Sequence, residues 1–338
     1  MWAKRQALLC IVLLCATLAP IAAPAPVVEW GFHGHREINS LAIFTLPEGM
    51  FGYFKQHADF IRVHAVDPDK RRYSMKGEAE RHYIDIDHYC HVADSQGCNP
   101  FGFVPRRWKD AVEKLTEDTL RAYGIVPWHV NNMVYRLTDA FRDRNHKRIL
   151  RIAAELGHYV GDAHVPLHTT ENYNGQLTGQ KGIHGFWESR LPELYDGNYD
   201  LLTGQATYIE RPLDFIWDRV EESHAAVDSV LRFERELNAE WPEDQKYAYE
   251  ERGVTLVRTY SEGYSREYHL RLNGQVERRM KQAVRSLGSL WYTAWINAGQ
   301  PDLTDLGTDA ETDALRETLE KEREAAPLPD LQKRQHDG

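Results

Sequence analysis

The stretch from Lys147 to His168 constrains the fold more than any other part of this chain. From Lys147 to Asp162, Leu150, Ala153, Ala154, Leu156 and Val160 recur at helical spacing. Within that run His158 and Asp162 stand four residues apart, so one helix face presents an imidazole and a carboxylate together and can bind one metal ion. His168 follows just past Pro166, which bends or ends the helix.

The same periodicity runs through most of the chain. It predicts helices over 36–46, 105–123, 129–143, 213–237 and 276–296, the last stopping near Gly299 with Pro301 beyond. Strand alternation is scarce and no repeat of fixed period stands out. The simplest organisation is all-α, a single mostly helical domain over about 30–302. Residues 303–338 are rich in Asp, Glu, Lys and Arg with few large apolar groups, which predicts a mobile tail with a frayed helix around 310–325.

At the other end, Lys4 and Arg5 precede an apolar run from Ala7 to Ala23, the form of an export signal over 1–23, with the cut falling as late as residue 29. The expected location is periplasmic or secreted, an uncleaved anchor being the alternative. No later segment is long and apolar enough to cross a membrane, and no stable protein partner is implied. In the oxidising compartment that export implies, Cys90 and Cys98 are placed for a local disulfide, with two free thiols as the alternative.

Further ligand-type residues flank the central run. His184 and Glu188 form a second i, i+4 pair, and His168 lies between the two pairs. Trp30-Gly-Phe-His-Gly-His35 adds His35. His64-Ala-Val-Asp67-Pro-Asp-Lys70-Arg-Arg72 adds carboxylates, and Arg81-His82-Tyr-Ile-Asp85 adds His82. His, Asp and Glu without cysteine suit zinc, and the set is large enough for more than one ion. A formal net charge of −10 makes the chain a poor electrostatic trap for long duplex nucleic acid, though a local cationic site can still hold one phosphate.

Taken in order, Trp-x4-His, Asp, His, His-x3-Asp-x5-His and His-x3-Glu, the pattern resembles the P1/S1 nuclease and zinc-dependent phospholipase C superfamily. The resemblance implies a mostly helical fold and hydrolysis of phosphoric esters by a metal-activated water attacking phosphorus. It implies three Zn²⁺ ions. The first would be held by Asp67, His82, His158 and Asp162. The second would be held by His168, His184 and Glu188. The third would use His35, a bridging Asp162, and the amino nitrogen and carbonyl of Trp30 as first mature residue. Lys70, three after Asp67, sits where the nucleases place a phosphate-touching Arg, with Arg71 and Arg72 as rivals. Asp67, Asp162 and Lys70 are thus the candidate catalytic residues.

On substrate the pattern is a hybrid. His82-Tyr83-Ile84-Asp85 is similar to a nuclease motif whose aromatic and carboxylate contact the base. Asn172-Tyr-Asn174-Gly175 is similar to a nuclease loop, which makes Asn172 and Asn174 candidate substrate residues. Glu188 as last ligand and the short gap from His168 to His184 are phospholipase C-like. The candidate substrates are therefore single-stranded nucleic acid or 3′-nucleotides, with phospholipid as the alternative. A non-catalytic exported metal-binding protein would be expected to lack a ligand, and this chain lacks none.

Overall fold

The computed structural model describes residues 31–92, 98–253 and 255–325. The expected export signal, Trp30 and residues 326–338 lie outside the described residues. Four helices build the main core: Phe32–Ala42, Val126–Arg142, His146–Ala163 and Gln275–Asn297. Asn145 caps the third of these, its side chain accepting from the Arg148 amide at 3.1 Å. The predicted period is what packs. Leu150, Ala153, Leu156 and Val160 are buried together with Leu287 and Trp291, and the Trp291 indole donates to the Ala153 carbonyl at 3.1 Å.

Two helices cross unusually closely here. A Cβ on Gly157 would stand 1.8 Å from Asn39 Oδ1, and one on Gly161 would stand 2.7 Å from His35 Nδ1. Only glycine permits that approach. Asn39 fastens the crossing by donating to the carbonyls of Ile61 and Ala154, both at 3.0 Å.

Three predicted helices are interrupted. The 105–123 segment breaks at Thr116, whose φ of 66° starts a new helix and whose side chain caps it. After Ala42 the first helix tightens into a single 3₁₀ turn, Ile43–Thr45. The 213–237 segment splits into Pro212–Ala225 and Val227–Glu240. Its first half buries Ile216, Trp217 and Val220 in the main core, and its second buries Val230 and Leu237 in a smaller core around Phe186, Tyr260, Tyr264 and Tyr268. One straight helix could not face both.

Among the described residues the sheet is a single antiparallel hairpin, β1 (Tyr247–Arg252) with β2 (Thr255–Tyr260), which the scarcity of alternation did not foretell. The expectation of a mobile tail is corrected for Asp309–Glu324. That helix carries a Thr308/Glu311 capping box and buries Thr312, Leu315 and Leu319, a sparse stripe that suffices to dock it. Thr312 Oγ1 lies 3.0 Å from His146 Nε2, and His146 Nδ1 lies 2.9 Å from the Tyr53 hydroxyl. Cys90 and Cys98 are joined by a disulfide.

Candidate metal centre

His158 and Asp162 project from the C-terminal half of the His146–Ala163 helix into a buried cluster. Asp162 Oδ2 is 3.0 Å from His82 Nδ1 and 3.4 Å from His158 Nε2. Its other oxygen is 3.5 Å from His35 Nε2 and 3.9 Å from His168 Nε2. Asp162 thus sits between two groups of ligand-type side chains. His168, His184 and Glu188 form a trio beside it, with Glu188 Oε2 3.2 Å from His168 Nε2 and 2.7 Å from His184 Nε2.

The outer faces of the rings are tied to the backbone. His158 Nδ1 donates to the Ala65 carbonyl at 3.1 Å, His168 Nδ1 to that of His82 at 2.5 Å, and His184 Nδ1 to that of Tyr173 at 3.1 Å. A proton fixed on Nδ1 leaves Nε2 as the ligand atom, and this is how metal-binding histidines are oriented. Burial holds His35 down to about 3 and His168 down to about 4, so both rings are neutral near pH 7. Burial also opposes charge on His158, but Asp162 and Asp69 outweigh it and push the ring up to about 9. The cluster therefore attracts positive charge. Its buried imidazole nitrogens and carboxylate oxygens are the donors zinc takes.

The segment 64–72 requires a correction. Asp67 does not face the cluster. Its carboxylate accepts from His64 Nδ1 at 2.5 Å and from Lys70 Nζ at 2.8 Å. Asp69 takes the place expected of it, with Oδ1 3.4 Å from His158 Nε2 and 3.6 Å from His82 Nδ1. The cause is helical phase. Asp67 and Asp69 stand two residues apart in the Asp67–Arg71 helix, so they project in nearly opposite directions. Lys70 turns away with Asp67. Arg72 instead lies by the cluster, with Nη1 3.8 Å from Asp69 Oδ1. Arg72 is only 3 % exposed, and its Nε and Nη2 have no hydrogen-bond partner. The signal for both was the same three-residue carboxylate-to-cation spacing, shifted by two.

The candidate substrate residues Asn172 and Asn174 brace a loop. Asn174 Oδ1 accepts from the amides of Gly182 at 2.9 Å and His184 at 3.3 Å, and Asn172 bonds Thr178 and Leu177 within the same loop. Both asparagines are buried and shape the loop that presents His184. Tyr83 is 6 % exposed with its hydroxyl toward the Ala122 carbonyl, and Asp85 is buried near Tyr89. Trp30 itself lies outside the described residues, but its neighbour Gly31 lies against Glu188, where a Cβ would stand 2.6 Å from Oε1.

The family model described as zinc dependent phospholipase C matches residues 34–251, well over half of the chain and nearly all of this cluster. The chain belongs to that family. At the level of the superfamily it is a zinc-dependent phosphoesterase, and the zinc-dependent phospholipase C assignment accounts for the His, Asp and Glu donors converging on Asp162. No curated protein matches the chain. No helix among the described residues is long and apolar enough to cross a membrane.

Proposed function

We propose that the chain hydrolyses phosphodiesters as a phospholipase C-type enzyme working outside the cytoplasm. The observation that carries the reading is the juxtaposition of Arg72 with the cluster. A buried guanidinium with two unpartnered nitrogens is costly unless an anion completes it, and a phosphoryl group fits its fork. His35, Asp69, His82, His158 and Asp162 would hold zinc on one side, and His168, His184 and Glu188 on the other. Three ions remain the expected number, the third depending on Trp30. When bound, zinc supplies Lewis acidity toward phosphoryl oxygens and lowers the pKa of water.

The chain's own residues do the rest. Arg72 orients the phosphoryl oxygens by donating N–H groups, and Asp69 beside it fixes the guanidinium. Asp162 holds the two ligand groups in register. The backbone carbonyls of Ala65, His82 and Tyr173 keep three imidazoles in the ligating tautomer.

Two observations favour phospholipid over nucleic acid. Glu188 stands at the last ligand position, and the burial of Tyr83 leaves it no open face on which a base could stack. The order His82-Tyr-Ile-Asp85 carries the second reading, a nuclease acting on single strands or 3′-nucleotides. Export is supported by the Cys90–Cys98 disulfide together with Lys4, Arg5 and the apolar run after them. Purified zinc-loaded protein assayed side by side on phospholipid, single-stranded DNA, RNA and 3′-nucleotides tests the reading. Release of a phosphorylated headgroup is the expected result. Cleavage of nucleic acid with lipid untouched would transfer the assignment to the nuclease.

A further inference from the structure

A second cavity, of about 240 Å³, lies between the 172–182 loop and the β1–β2 hairpin. It is not the zinc site. Gly182, Gly185, Phe186 and Arg190 line it at helical spacing, whereas His184 and Glu188 project from the opposite side of the same helical segment. The cavity's charged lining is entirely basic: Lys181, Arg190 and Arg258. Glu250 neutralises Arg190, so the attraction for an anion centres on Arg258, in a chain whose net charge is −10. The walls are joined by side-chain contacts. Phe186 stacks on Tyr260 with centroids 3.8 Å apart, Arg258 lies 3.6 Å over the Tyr247 ring, and Glu250 grips Arg190 through two nitrogens.

The hairpin that lines the cavity also carries exposed apolar side chains. Tyr249 is 68 % exposed and Leu256 is 62 % exposed. The register pairs Tyr249 with Arg258 and Leu256 with Glu251, which puts Tyr249, Leu256 and Arg258 on one face of the hairpin, with Glu251 at its turn end as the one acid among them. In the 172–182 loop, whose Asn174 and Lys181 line the cavity, Leu177 is 72 % exposed. Exposed apolar tips bordered by cations mark an interaction surface. Tyrosine suits a membrane boundary, where one end of the ring is wet and the other apolar.

We propose that this cavity and its rim dock the protein on an anionic lipid surface. A lipid phosphate enters between Arg258 and Lys181, while Leu177, Tyr249 and Leu256 enter the bilayer. A soluble phosphate would use the cations but leave the three apolar tips in water. The proposal rests on the phospholipid reading above for its purpose, and its test is independent of that reading.

The test is co-sedimentation of zinc-loaded protein with vesicles of phosphatidylcholine alone and of phosphatidylcholine with phosphatidylglycerol. Wild type is expected to partition onto the second and hardly onto the first. Arg258→Glu, and separately Tyr249→Ser with Leu256→Ser, should each weaken that partition by at least about fivefold. All three positions are solvent-exposed, so zinc content and turnover of a water-soluble phosphodiester should not change. Equal partition of wild type onto both vesicles, or undiminished binding by both variants, overturns the proposal. So does binding of inorganic phosphate without binding of vesicles, which would give the cavity to a soluble anion. Vesicle binding without lipid hydrolysis supports the docking site and removes the phospholipase reading. Hydrolysis of micellar lipid without vesicle binding removes the docking site alone.

Discussion

Asp69 Oδ1 lies 3.4 Å from His158 Nε2, while Asp67, two residues earlier in the same helix, is bonded to His64 and Lys70 on the far side. The two carboxylates should therefore separate cleanly on substitution. Asp69→Asn, like Asp162→Asn, should cost at least about tenfold in zinc affinity and most of the turnover, since each removes a charge that faces the imidazoles. Asp67→Asn should keep zinc and lose at most about 1 kcal/mol of stability with its ion pair. Metal analysis and turnover of the three purified variants check this. An Asp67 variant that loses zinc while the Asp69 variant keeps it would reverse the assignment.

Arg72 is predicted to act on turnover rather than on metal. Arg72→Ala should lower kcat by about 10²-fold, the scale seen when one donor to a developing charge is removed, with bound zinc unchanged. Arg72→Lys should recover only part of it, because an ammonium cannot replace a planar fork. Unimpaired turnover in both variants would show that the guanidinium does not touch substrate.

Gly161 carries a prediction that the cluster residues themselves do not. A methyl at that position would stand 2.7 Å from His35 Nδ1, so Gly161→Ala should displace the ring and release zinc. The variant should show less bound zinc than wild type at equal free metal, measured by competition with a chromophoric chelator. Normal metal content would mean that the helices can separate without losing His35.

Much of this was legible in the sequence. The run from Leu150 to Val160 fixed a buried helix, and the i, i+4 pairs fixed which of its residues share a face with the ligands. The missed features depend on phase and on distant contacts. Asp67 and Asp69 are chemically identical, and only the start of the Asp67–Arg71 helix decides which one faces His158. The break at Ala226 depends on two separate cores competing for the two ends of one apolar pattern. The docking of Asp309–Glu324 rests on Thr312, Leu315 and Leu319 meeting a partner whose surface the tail's composition does not describe.

That docking brings a pH dependence. His57 is buried against His146 and Thr312, and burial first, then the neighbouring His146, lower its pKa from 6.5 to about 4; Asp309 opposes this and Arg316 adds to it. The folded state therefore holds His57 neutral, while the unfolded chain takes up a proton below pH 6.5. Stability is full above that pH and falls as pH drops toward 4, by on the order of 2 kcal/mol. His57→Gln should flatten this part of the profile relative to wild type in urea unfolding at fixed zinc. Parallel profiles for the two proteins would remove His57 as the cause.

The most direct test of the account is phosphodiester turnover measured against bound zinc as the metal is stripped by chelation and then restored. Turnover should fall to background with the zinc, return with it, and fail to return in Asp162→Asn. Full turnover by zinc-free protein would contradict the account, as would fully zinc-loaded wild type that cleaves neither phospholipid nor nucleic acid.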